Sequence, residues 1–382
     1  MDKALQAGLS AGMSAVSGFH SKKPKWADPE TAGENILPTS YCPTRRSRVE
    51  FPTAQKPVSA SNICIGAWPW GDKSTWKYDE SELPNIREAW ELLYGAGINF
   101  IDTAEAYGSG ESERIVGELV KDLPRETFVI QTKYFSTPLK AANFIHPTDA
   151  PIKSLRSSLE RMKLDYVDIY LVHGPIHPQS IAQIAEGMAQ CVEQGLARCI
   201  GVANYDVEDV QKISDELAKF NIPLATNQCE FNILRRYPEL TGNIKKCQES
   251  GMIFQSYSSL AQGRLTGKYT KENPPPKSHR FSSYKMEDLE PVLDTLKTVA
   301  ERRDKSIAAV ALNYNISKGV LPVVGIRNIE QAKSAIESLG WRLTDAEMRE
   351  IDKDEEQRQK AAETLREIIR ENDYLVGIGF AR

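Results

Sequence analysis

Gly66-Ala67-Trp68-Pro69-Trp70-Gly71 follows the first apolar run of the chain, Ile63–Trp68, and its spacing separates two folds. A doubly wound dinucleotide-binding sheet places GxGxxG directly after its first strand, so that a pyrophosphate can approach the backbone. This loop lacks that spacing. Gly108-Ser109-Gly110 begins correctly, but Glu113 stands where the third glycine is required.

Outward from this loop, short apolar runs alternate with amphipathic ones. Ile63–Trp68, Asn99–Thr103, Phe128–Lys133, Val167–His173, Cys199–Ala203, Ala225–Phe231, Met252–Tyr257 and Leu321–Gly325 have the length and β-branched content of buried parallel strands. Helical periodicity is expected over Pro84–Tyr94, Glu111–Val120, Ile152–Arg161, Ile181–Glu193, Val207–Leu217, Tyr237–Glu249, Ile307–Ser317 and Gln331–Leu339. Eight strand–helix alternations predict an α/β protein of the (β/α)8 TIM-barrel class.

Residues 1–58 are rich in Ser, Pro, Gly, Lys and Thr without periodicity, and are expected to form a flexible N-terminal extension. The barrel is expected over 59–352. A charged helical C-terminal tail is expected over 353–382, with Leu365, Ile368 and Ile369 on one face. The proline-rich stretch Lys271–Ser283 reads as a surface loop.

Of the 382 residues, 26% are charged and 41% hydrophobic, and the net charge is −4. Nucleic-acid binding needs a basic stripe, and none is visible. No apolar run approaches the ~20 residues that span a bilayer. Cys42, Cys64, Cys191, Cys199, Cys229 and Cys247 form no CxxC pair and share no ligand spacing with the five histidines. They are expected to be free thiols, with no metal bound. The cytoplasm is the expected compartment. The N-terminal segment has no apolar signal core, and organelle import through it is the alternative address.

Four polar residues stand at or just beyond the ends of apolar strands: Asp102, Lys133 and His173, with Tyr107 a few residues past the second strand. In a parallel barrel all four face one mouth. Charges that close apolar strands must pair, and Asp102 beside Lys133 supplies the pairing. Carbonyl reduction needs hydride at carbon and a proton at oxygen. A phenol titrates near ~10, and a neighbouring ammonium stabilises its phenolate, so Tyr107 becomes a better acid. His173 is placed to donate to the carbonyl oxygen. Each residue alone has a plain structural reading, as a helix cap or a core phenol. The four together at one end do not.

Phe100-Ile101-Asp102-Thr103-Ala104-Glu105-Ala106-Tyr107-Gly108 resembles the first signature of the aldo-keto reductases. Leu164-Asp165-Tyr166-Val167-Asp168-Ile169-Tyr170-Leu171-Val172-His173 resembles the second. The resemblance covers roughly residues 60–350 and is similar to the branch holding pyridoxal reductases and potassium-channel β-subunits. It implies a barrel, NADPH as cofactor, a small-molecule carbonyl substrate, and the Asp102–Tyr107–Lys133–His173 tetrad. It also implies a cofactor set. Trp68 lies against the nicotinamide, and Asn204 and Gln228 bind its carboxamide. Tyr257 stacks on the ring, and Ser258, Leu260 and Arg264 approach the pyrophosphate. Gly325, Arg327 and Gln331 take the adenosine 2′-phosphate. Ala203 replaces the family's usual Ser, and Ser334-Ala335 replaces its Glu-Asn pair, which leaves NADH less firmly excluded. The oligomeric state and the identity of the substrate are not legible.

Two rival readings exist. Tyr314 and Lys318 have the i, i+4 spacing of a short-chain dehydrogenase, but no glycine-rich nucleotide loop accompanies them. Alternatively, the chain binds NADPH as a regulatory or redox-sensing subunit with little turnover, which an NADPH-depletion assay over carbonyl compounds would expose.

Overall fold

The computed structural model describes residues 43–137, 141–276 and 284–353. Eight parallel strands close into a barrel: β3 (Cys64–Gly66), β4 (Phe100–Asp102), β5 (Val129–Tyr134), β6 (Val167–Val172), β7 (Ala197–Ala203), β8 (Leu224–Glu230), β9 (Ile253–Tyr257) and β10 (Leu321–Gly325), with β10 paired to β3. These are the eight expected runs, with no end displaced by more than two residues. Both faces of the strands are buried, one against the helices and one inside the barrel. The strands are therefore buried continuously rather than at alternate residues.

Several helices start at polar caps. Ser180 and Gln183 form a capping box before Ile181–Glu193, and Asp206 and Asn328 cap Val207–Ala218 and Ile329–Glu337. The single helix expected over Tyr237–Glu249 is two pieces, Tyr237–Leu240 and Asn243–Glu249. Gly242 between them takes a φ of 77°, which an α-helix cannot accommodate. An 18-residue helix, Met286–Arg303, was not foreseen; Pro291 in its second turn masks its periodicity.

The expected N-terminal extension needs correction at its end. β1 (Arg48–Phe51) pairs antiparallel with β2 (Val58–Ser61). Val49, Phe51, Val58 and Ala60 are buried with Cys64, Phe100, Val129, Ile253 and Leu321, each the first residue of its strand. The hairpin therefore plugs the N-terminal end of the barrel, with the Phe51 and Phe100 rings 5.6 Å apart at 75°. Alternating apolar residues in Arg48-Val49-Glu50-Phe51 were the available signal. Residues 1–42 and nearly all of the expected tail, 354–382, lie outside the described residues, as does part of the Lys271–Ser283 loop.

Candidate active site

Asp102 ends β4, Lys133 is the penultimate residue of β5, and His173 follows β6. Tyr107 opens a tight turn, Tyr107–Gly110, in which Gly108, Ser109 and Gly110 all have positive φ. A Cβ on Gly108 would lie 2.6 Å from the Gly71 carbonyl oxygen. Only glycine lets this turn pack against the first loop and hold the phenol over the barrel mouth.

Lys133 Nζ lies 2.7 Å from the Asp102 carboxylate, 2.9 Å from the Thr103 carbonyl and 3.0 Å from the Tyr107 phenolic oxygen. Burial acts to lower the lysine pKa, but Asp102 and Tyr107 outweigh it and leave it above its ordinary value. The ammonium is therefore the form held near neutral pH. An ammonium that donates to a phenolic oxygen favours the phenolate. His173 packs edge-on to Tyr107, centroids 5.7 Å apart, and to Phe135 at 5.9 Å. Burial, then the Lys133 charge, hold the imidazole well below its usual range, so it is neutral near pH 7. Its Nδ1 is buried without a hydrogen-bond partner among the described residues.

Under Asp102 lies a polar layer that sequence reasoning missed. Gln131 Nε2 donates to Asp102 Oδ1 at 2.6 Å, and Gln228 Nε2 donates to the same oxygen at 3.2 Å. Both also donate to Gln255 Oε1 at 3.1 Å, and Gln255 returns a bond to Gln131. These amides fill the barrel interior and fix the carboxylate from below. Alternate residues of β5, β8 and β9 point inward, and three long amides among them were the visible signal.

A cavity of about 920 Å³ runs across the mouth. Asp102, Tyr107 and His173 line it, with Trp68, Asn204, Gln228, Tyr257, Ser258, Leu260, Gly325, Arg327 and Gln331. The structure therefore brings together nine of the ten residues expected around the cofactor. Arg264 is the exception: it is buried and does not line the cavity, and burial pulls its pKa down to about 10. Its place in the wall is taken by Gln262, Gly263, Thr266 and Lys268. Ser258, Ala261, Gln262 and Gly263 all have positive φ, a backbone run of the kind that turns N–H groups toward an anion. Asn204 has a φ of 60°, and its side-chain oxygen accepts from the Tyr257 hydroxyl at 3.0 Å. Trp68 stands between Trp76 (5.5 Å) and Tyr107 (6.1 Å). Trp70, two residues further on, is buried and donates to the Ile326 carbonyl at 2.7 Å.

The donor set fits a nicotinamide dinucleotide: amides and an aromatic ring at one end, the left-handed run in the middle, and a guanidinium with an amide at the other. Arg327 donates to Glu82 Oε2 at 3.2 Å and the Trp76 carbonyl at 3.3 Å, while Gln331 accepts from the Arg327 N–H at 2.7 Å. The rival pair, Tyr314 and Lys318, lies off the cavity wall. Both bond to Asp352, and Lys318 also pairs with Glu239. Cys64, Cys191, Cys199, Cys229 and Cys247 are free and buried. Among the described residues there is no cluster of metal-ligand side chains, and no helix is long and apolar enough to cross a membrane.

The Aldo/keto reductase family model matches residues 62–356. The chain is 32% identical over 312 residues to a chloroplastic pyridoxal reductase of Arabidopsis thaliana, covering 78% of this chain and 83% of the relative. It is 30% identical over 328 residues to an NADH-specific methylglyoxal reductase of Escherichia coli, covering 79% of this chain and 98% of the relative. Among solved structures, it superposes on the glycerol dehydrogenase of Gluconobacter oxydans with a TM-score of 0.67 at 26% identity, covering 80% of this chain and 94% of that one.

Proposed function

The chain belongs to the aldo/keto reductase family of oxidoreductases, and from that premise we propose that it reduces an aldehyde or ketone to an alcohol with NADPH, Tyr107 giving the proton. One observation carries this reading: the Lys133 ammonium, held by buried Asp102, donates to the Tyr107 oxygen at 3.0 Å.

A nicotinamide held by Asn204, Gln228 and Tyr257 would supply hydride to the carbonyl carbon. Tyr107 delivers its proton to the carbonyl oxygen and is left as a phenolate, which Lys133 stabilises until solvent reprotonates it. Asp102 keeps Lys133 charged and aimed. His173, neutral by burial, has one N–H with which to orient the carbonyl oxygen without adding a second cation to the site.

Asn204 and Gln228 would hold the carboxamide, and Tyr257 and Trp68 the ring. The Gln228 amide nitrogen is already committed to Asp102 and Gln255, so its carbonyl oxygen is the group offered. Ser258 and Leu260 would border the pyrophosphate. Gly325, Arg327 and Gln331 would form the 2′-phosphate end. The walls Trp68, Trp76 and Tyr107 suit a carbonyl compound with apolar or aromatic bulk. The cytoplasm is the proposed compartment, and the Arabidopsis relative's name makes a chloroplast address the alternative.

The test is NADPH oxidation followed over a panel of aldehydes, ketones, quinones and pyridoxal, alongside NADPH binding. Turnover of at least one carbonyl class supports the reading. Tight binding with no turnover would favour a regulatory subunit.

A further inference from the structure

The basic residue expected to take the 2′-phosphate is not a bare cation. Arg327 pairs with Glu82 at 3.2 Å, and both side chains are about a quarter exposed. The carboxylate is held in place. Its Oε1 accepts from the Asp79 backbone N–H at 3.3 Å as half of a capping box, while Oε2 faces Arg327. Trp76 braces the same spot, its carbonyl accepting from Arg327 and its ring 5.9 Å from the guanidinium carbon. The other charged groups on this stretch of wall are Glu330, which Lys333 engages at 2.8 Å, and exposed Lys77.

We propose that Glu82 sets the coenzyme selectivity of this chain, by competing with an adenosine 2′-phosphate for Arg327 and so narrowing the preference for NADPH over NADH. The inference rests on the cofactor reading above. A phosphate monoester carries roughly −1.5 to −2 near pH 7. To reach Arg327 it must displace the Glu82 carboxylate or sit beside a like charge. A ribose hydroxyl meets the opposite situation, because a carboxylate is an acceptor for it; acidic side chains recognise the 2′-hydroxyl of NAD in dinucleotide folds on the same physical ground. Glu82 thus penalises one coenzyme and does not penalise the other. The pair is partly exposed and screened by salt, so its effect is modest, on the order of five-fold in affinity.

Glu82→Gln removes the charge and keeps an amide that serves the capping box, so the fold is retained. Binding of 2′-AMP, 5′-AMP, NADP+ and NAD+ is measured by calorimetry on the full chain, for wild type, E82Q, R327A and the double variant. E82Q should tighten 2′-AMP and NADP+ about five-fold and leave 5′-AMP and NAD+ unchanged or slightly weaker. In the R327A background the E82Q gain should vanish. An unchanged ratio of 2′-AMP to 5′-AMP affinity in E82Q overturns the proposal, as does the same gain without Arg327. If no dinucleotide binds to any variant, the cofactor reading itself falls, and the proposal with it.

Discussion

Lys133 and Tyr107 are joined by a 3.0 Å hydrogen bond between an ammonium that is buried and a phenol that lines the cavity. The bond links the charged interior of the barrel to the space where a substrate would lie. Lys133→Met removes it, and should cut the turnover rate by about 10²–10⁴-fold. It also leaves the Asp102 carboxylate buried without its cation, at a cost of roughly 3–5 kcal/mol. Steady-state kinetics and urea unfolding measure the two effects. A variant with wild-type rate would show that the lysine is only structural.

His173 makes stability depend on pH in a defined direction. Burial and Lys133 keep its folded pKa well below the 6.5 of an ordinary imidazole. Below that value the unfolded chain takes up a proton that the folded chain refuses, so stability falls as pH falls. Between pH 7.5 and 5.5, wild type should lose about 1.4 kcal/mol more unfolding free energy than His173→Gln, in which this linkage is absent. His177, also shifted down by burial, is shared by both proteins and cancels in the difference. Parallel stability curves would contradict the assignment.

Arg327→Ala should weaken NADP+ by about ten-fold or more while changing NAD+ little, because a lost charge-assisted hydrogen bond to phosphate is worth roughly 1.5–3 kcal/mol. Isothermal titration gives both constants. Equal losses for the two coenzymes would remove Arg327 from the 2′-phosphate end.

The hairpin at the far end of the barrel should be energetic rather than catalytic. Phe51 is fully buried against Phe100. Phe51→Ala should cost about 3–5 kcal/mol in urea unfolding with turnover at saturating substrate near normal. A stable variant would show that the plug contributes little.

The alternation of strands and helices was legible because the strands are short buried runs, several rich in β-branched residues as in Val167–Val172, set between longer amphipathic segments. Asp102, Lys133 and His173 were legible for a related reason: charge at the end of an apolar strand is conspicuous. Features set by direction in three dimensions were not. Nothing in the sequence says that Gln131, Gln228 and Gln255, drawn from three strands, converge beneath Asp102. Glu82 meets Arg327 across 245 residues, a pairing that only the closed barrel creates. Trp68 and Trp70, two residues apart, look equivalent in sequence, yet one lines the cavity and the other is core. Arg264 matched a loop pattern, but it is buried and does not line the cavity.

The most direct test of the central claim is Tyr107→Phe, which removes the phenolic oxygen and keeps the ring against Trp68 and His173. NADPH binding and single-turnover reduction of an accepted aldehyde are measured together. The account predicts binding within about two-fold of wild type, since the ring contacts persist, and a rate lower by at least ~10²-fold. Reduction at the wild-type rate by that variant would contradict it.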